Sequence, residues 1–118
     1  MTIASSRSPS TTVNVSQTTY SIDEKKALDL VWKLPQVKRK AREIERLSRG
    51  SIRVAAAVDS LPTSEEPYYV VRVLENHPDK STSTVYWFRV LSSNGAIEAL
   101  DWVNNKYISL EKWNPDGR

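Results

Sequence analysis

A single histidine limits what this chain can do by proton or metal chemistry. His77 stands in Glu75-Asn76-His77-Pro78-Asp79, where Glu75 or Asp79 could share a cation with it. Closed zinc sites are almost always four-coordinate and built from His and Cys, and this sequence has one His and no Cys. The segment therefore reads as a Pro-containing hairpin loop. A Ser–His nucleophile pair fails for a related reason, because none of the serines sits in a strand-to-helix elbow flanked by glycines. Glu65-Glu66, in a Pro-flanked loop, and Asp101, in a strand, are the carboxylates that acid–base chemistry would draw on. Nothing beside them in sequence argues for desolvation, so they are expected to be solvated charges. Only three glycines occur, which leaves no phosphate-cradling loop and no dinucleotide fingerprint. The absence of Cys also removes disulfides and thiolate catalysis. The sequence thus gives no catalytic residue, no metal ligand set and no cofactor, and a non-enzymatic role is expected.

Two positive signals remain. The first is a basic cluster, in which Lys33, Lys38, Arg39, Lys40, Arg42, Arg46 and Arg49 outnumber Glu43 and Glu45. Such a cluster suits phosphates or an acidic protein. It equally suits a solvated helix face laced with pairs such as Glu45–Arg49. The second signal is a set of aromatic, apolar and arginine side chains, Tyr68, Val70, Arg72, Leu74, Val85, Trp87 and Arg89, expected on one face of a β-hairpin. Aromatics and Arg are concentrated at protein interfaces, and aromatics on a sheet can also stack unpaired bases. The ribonucleoprotein motif of common RNA-binding sheets is absent. The alternative for this face is a second small core under the N-terminal segment, the C-terminal turn or a self-association partner. The leading expectation is an unknown protein partner, bound or inhibited through Tyr68, Arg72, Trp87 and Arg89. The alternative is nucleic acid or another anion held by Lys38, Arg39, Arg42, Arg46 and Arg49. A monomer or weak homodimer is expected.

These residues must be positioned by a small set of elements. Residues 1–20 are dominated by Ser and Thr, and cannot bury enough apolar surface to offset their ordering entropy; they are expected to be a disordered tail. Ser21-Ile22-Asp23-Glu24 has the form of a capping box with Ser21 as the cap. Ala27, Leu28, Val31 and Trp32 follow at helical spacing. Pro35 should end that helix near Leu34 and open a second one, although one kinked helix fits as well. Val37, Ala41, Ile44 and Ser48 form one stripe, with Leu47 at its edge, and Gly50 is placed to end the helix in the left-handed conformation. Residues 52–58 alternate, with Ile52, Val54, Ala56 and Val58 on one side and Arg53, Ala55, Ala57 and Asp59 on the other. Residues 68–75 and 84–91 make the central hairpin. Arg72 and Arg89 should face solvent, which turns Tyr69, Val71, Val73, Tyr86, Phe88 and Val90 inward and leaves Val85 and Leu91 on the outer face. Asn94-Gly95 is a turn signal, residues 96–103 are a last full strand, and Tyr107-Ile108 have room for only a brief pairing. Ser109 is expected to cap a final turn that buries Leu110 or Trp113, and residues 114–118 form a tail. The fold class is α+β: one or two N-terminal helices on one face of a four-stranded antiparallel meander, spanning residues 21–113 as a single domain.

Length and composition agree with that reading. With 118 residues, 39% of them apolar, there is material for one modest core. The formal charge of +3 is mildly basic, which slightly favours anionic partners. No apolar run approaches the ~18 residues of a membrane span, and the N-terminus has no hydrophobic secretory region. A soluble, cytoplasmic protein is the default expectation. Tyr68-Tyr69-Val70-Val71-Arg72-Val73, Tyr86-Trp87-Phe88-Arg89-Val90 and Asn94-Gly95-Ala96-Ile97 together resemble the small bacterial PepSY-like domains and, more widely, the cystatin-like group. The resemblance implies a helix packed on an antiparallel sheet and a non-enzymatic module that binds or inhibits a peptide-handling partner. It carries no catalytic residue onto this chain.

Overall fold

In the computed structural model, which describes residues 21–115, two helices pack on one face of a five-stranded antiparallel sheet. The elements are α1 (Glu24–Trp32), α2 (Pro35–Leu47), β1 (Arg53–Ser60), β2 (Tyr68–Asn76), β3 (Thr82–Leu91), β4 (Ile97–Asp101) and β5 (Lys106–Ser109), followed by a 3₁₀ turn at Leu110–Lys112. The strands run in the order β1-β2-β3-β4-β5, a simple meander. The expected brief pairing at Tyr107-Ile108 is a full fifth strand, made possible because the preceding strand stops at Asp101 and turns. The disordered tail expected at residues 1–20 lies outside the described residues, as do positions 116–118 of the C-terminal tail.

The start of α1 differs from the expected capping box. Asp23, not Ser21, is the N-cap, and its carboxylate accepts the Lys26 backbone N–H at 2.8 Å. The reason lies in the sheet. The Ile22 N–H donates to Ser92 O and the Tyr69 hydroxyl donates to Ile22 O, tying Ile22 to the sheet, and Asp23 is extended at the start of the helix. At the other end, Leu34 is extended before Pro35, and two separate helices result. Left-handed geometry follows α2 at Arg49 as well as at Gly50.

The inner face of the sheet carries the core. Val71, Val73, Phe88, Val90 and Ala99 are sealed from solvent against Ala27 and Val31 of α1 and Val37 and Ala41 of α2. Trp113 closes the end of this face that the helices do not reach. Its ring meets Tyr86 and Phe88 edge-on at centroid distances of 4.9 and 5.2 Å. Such contacts add about 0.5–1.5 kcal/mol per pair beyond area burial. Gly95 is favoured by its φ of +79°, and a Cβ there would lie 2.9 Å from Leu30 Cδ1, the free end of a side chain that would have to shift. The turn can approach α1 because it has no side chain at this point.

One strand face departs from simple alternation. β2 and β3 pair residue for residue from Tyr68↔Leu91 to Val73↔Tyr86, after which Leu74 faces Thr84. Val85 is the extra residue of a β-bulge, and it packs against the inner core. The expectation of Val85 on the outer face is thus corrected, and Thr84 takes the outer position. Likewise, Trp102 and Val103 are not strand residues but the exposed tip of the β4–β5 turn, 59% and 92% accessible.

Candidate functional site

The outer face of the hairpin is a surface on which no helix or strand among the described residues packs. The C-terminal turn, one possible cover, goes to the helix side instead through Trp113. Antiparallel pairing places residues directly opposite one another on the same face. Tyr68 stands beside Leu91, Val70 beside Arg89 and Arg72 beside Trp87; Arg89 in turn faces Glu98 on β4. Tyr107 on β5, opposite Leu100, extends the row.

Two arginines tie the row together. The Arg89 guanidinium lies between two phenol rings, 4.2 Å from the centroid of Tyr68 and 4.8 Å from that of Tyr107, and its Nε donates to Glu98 Oε1. Arg72 lies 5.8 Å from the Trp87 ring and donates through Nη1 to Thr84 Oγ1 at 3.3 Å. Stacked guanidinium groups are worth about 0.5–2 kcal/mol each, most where solvent is excluded. All four predicted contact residues, Tyr68, Arg72, Trp87 and Arg89, are half-buried by these neighbours. The face is open, but its side chains are already fixed.

Tyr107 is half-buried on this face. Burial is the main cause that pushes its phenol above the ordinary value; Arg89 opposes the shift, and the negative charges of Asp59 and Glu66 add to it. Asp59 and Glu66 belong to the far side of the meander, at the end of β1 and in the loop before β2.

The basic cluster on α2 is dispersed by its own contacts. Lys38 Nζ lies 5.1 Å from the Trp32 ring, Lys40 pairs with Glu43 at 2.8 Å, and Lys33 pairs with Asp29 at 3.0 Å. Arg39, Arg42, Arg46 and Arg49 are exposed.

The carboxylates and His77 serve the turns. Asp101 accepts from Val103 N and from Asn104 Nδ2, and the Asn104 bond is the main reason its pKa is lowered. It organises the β4–β5 turn. Asp79 accepts from the Ser81 hydroxyl and N–H, which lower its pKa in the same way. Around His77 the fold does assemble what sequence separation hid: Ser83 Oγ at 3.2 Å and Glu75 Oε1 at 3.0 Å. Both, however, meet Nε2. A catalytic relay requires the hydroxyl on one ring nitrogen and the carboxylate on the other, so this cluster lacks that geometry. Among the described residues no three His, Asp or Glu side chains gather in a metal-binding arrangement. No helix among them is long and apolar enough to cross a membrane.

Sequence reasoning missed Tyr107, Glu98 and Thr84 as members of the outer face. Only the period-two pattern of a correctly bounded β4–β5 hairpin could have added the first two, and the bulge at Val85 hid the third. Comparison with known proteins gives no match: no family model, no curated protein and no solved structure is similar to this chain.

Proposed function

We propose that this chain is a non-enzymatic binding module that holds a protein partner on the outer face of its sheet. The observation that carries the reading is the ladder Trp87–Arg72 and Tyr68–Arg89–Tyr107, fixed by stacking and by Glu98 before any partner arrives. Rigid aromatic and Arg side chains lose little conformational entropy on binding, so more of their contact energy is available for affinity. Guanidinium groups stacked on rings keep edge donors for carboxylates. The fitting partner is therefore a protein surface with carboxylates set among apolar groups. The resemblance to PepSY-like and cystatin-like modules is in keeping with this role.

Affinity capture with the wild-type chain, compared with Trp87→Ala and Arg89→Ala, tests the reading. Partner proteins should be retained by the wild type and lost from both variants while circular dichroism shows the fold intact. Equal capture by all three would remove the outer face from consideration.

A second reading rests on Arg39, Arg42, Arg46 and Arg49, which recur at helical spacing and are all exposed on one side of α2 and its C-terminal end. Such a stripe could line a phosphate backbone. Binding to generic DNA or RNA would then fall steeply with salt, and no binding at low salt would dismiss it.

A further inference from the structure

The sheet has two edges, and they are finished very differently. β5 is four residues long, opens with Lys106 and runs directly into a 3₁₀ turn. Short length and an edge lysine are among the devices by which proteins prevent edge-to-edge pairing. β1 is eight residues long and reads Arg-Val-Ala-Ala-Ala-Val-Asp-Ser, with no proline and with five uncharged residues, Val54 to Val58, between Arg53 and Asp59. It pairs with β2 on one side, and among the described residues no strand pairs with the other. Alternate N–H and C=O groups of β1 thus point outward along the uncharged stretch Val54 to Val58, ahead of the irregularity at Asp59.

The space beside that edge is open. A groove of about 840 Å³ runs between β1 and α1, lined by Val54, Ala55 and Ala56 and, opposite them, by Leu28, Asp29 and Trp32. Three consecutive strand residues have side chains on alternating faces. Their joint presence places the groove along the strand's edge.

The order of residues in β1 selects what fits there. Laid antiparallel against a second copy of itself, with Ala56 opposite Ala56, the strand sets Ala55 opposite Ala57, Val54 opposite Val58 and Arg53 opposite Asp59. Symmetry makes the charge pair occur twice. Arg53 and Asp59 are both exposed, and a register shift between Val58 and Ser60 leaves Asp59 without a partner on β2. A two-fold axis midway between the two Ala56 residues, perpendicular to the sheet, keeps the same face up in both copies. We infer that the chain self-associates through β1, joining two sheets into one continuous ten-stranded sheet with both helical layers on one side. The exposed parts of Leu28 and Trp32, which wall the groove, would be covered in this arrangement. The outer face bearing Trp87 and Arg89 remains open in both copies, so the two surfaces act independently.

Sedimentation velocity on the full chain, across a concentration series reaching hundreds of micromolar, tests the inference. The wild type should sediment as a dimer at the upper end. Arg53→Asp sets two like-charged pairs across the axis, and Asp59→Arg does the same; each should weaken the dimer by about tenfold. The double variant carrying both changes restores opposite charges and should return to the wild-type dissociation constant. Both positions lie on the surface, so the core is not disturbed. Hydrogen exchange supplies a second reading: amide protection in β1 should rise with concentration while that in β5 stays constant. A chain that stays monomeric throughout, including one whose β1 edge captures an unrelated extended peptide, overturns the inference. So does a double variant as weak as either single variant, or a dimer indifferent to all three.

Discussion

The two faces of the β2–β3 hairpin are both rich in aromatic and aliphatic residues, yet they behave oppositely. On the inner face Val71, Val73, Phe88 and Val90 are fully buried, because helices and Trp113 cover them. On the outer face Tyr68, Arg72, Trp87 and Arg89 are half-buried by one another and by Thr84, Glu98 and Tyr107. The inner face therefore stabilises the fold by excluding water from apolar surface. The outer face uses cation–π stacking and one ion pair to hold a fixed surface, with a smaller contribution to stability. The difference teaches that an aromatic-rich strand does not by itself indicate a core, since the arginines between the aromatics decide which row meets solvent.

Four measurements would break or sharpen this contrast. The largest effect is expected at Phe88→Ala, which opens a cavity among Tyr86, Trp113 and the helices and should cost about 3–5 kcal/mol in urea unfolding. A loss below about 1 kcal/mol would mean the inner face is not the core. Next, Gly95→Ala should cost about 1–3 kcal/mol, from the positive φ and from the crowding of Leu30. Truncating Leu30 to Ala in the same chain should recover the crowding part but not the φ part, and thermal melts of both separate the two. Third, Asp23→Ala should cost about 1 kcal/mol by removing the α1 cap, whereas Ser21→Ala should change almost nothing. An equal loss for the two would restore the capping box.

The smallest effect lies on the outer face and depends on pH. The folded-state pKa of Tyr107 is raised above its ordinary value of 10.0, so the native state retains a proton that the unfolded chain gives up. The stability from this group is complete below pH 10.0 and is lost as pH rises through the folded value. Tyr107→Phe should flatten the alkaline decline in stability relative to wild type, without altering the profile near neutrality. Identical profiles would show that burial does not raise the Tyr107 phenol.

Much of the fold was legible because its signals are local. The stripe Val37, Ala41, Ile44 needs only helical spacing, Pro35 needs only its own ring, and the Arg72 and Arg89 positions set the hairpin faces through a period of two. The errors have a common cause. Ser21 was displaced as the cap by a hydrogen bond from Ile22 to Ser92, a residue in another part of the chain. Val85 was turned inward by a bulge that pairing with β2 imposes. The fifth strand depended on where β4 stops, and the Asp101–Asn104 bond within the turn marks that point.

The candidate surface divides in the same way. Its four central residues could be named from the chain alone, because alternation and charge are properties of neighbours in sequence. That Arg89 would lie between Tyr68 and Tyr107, or that Trp113 would leave this face bare, could not be read there. Those contacts join residues many positions apart, and their energies exist only once the strands are in register. Residue types and their periods thus determined which faces the elements have. Register and bulges decided what each face meets, because both arise from pairing across the chain.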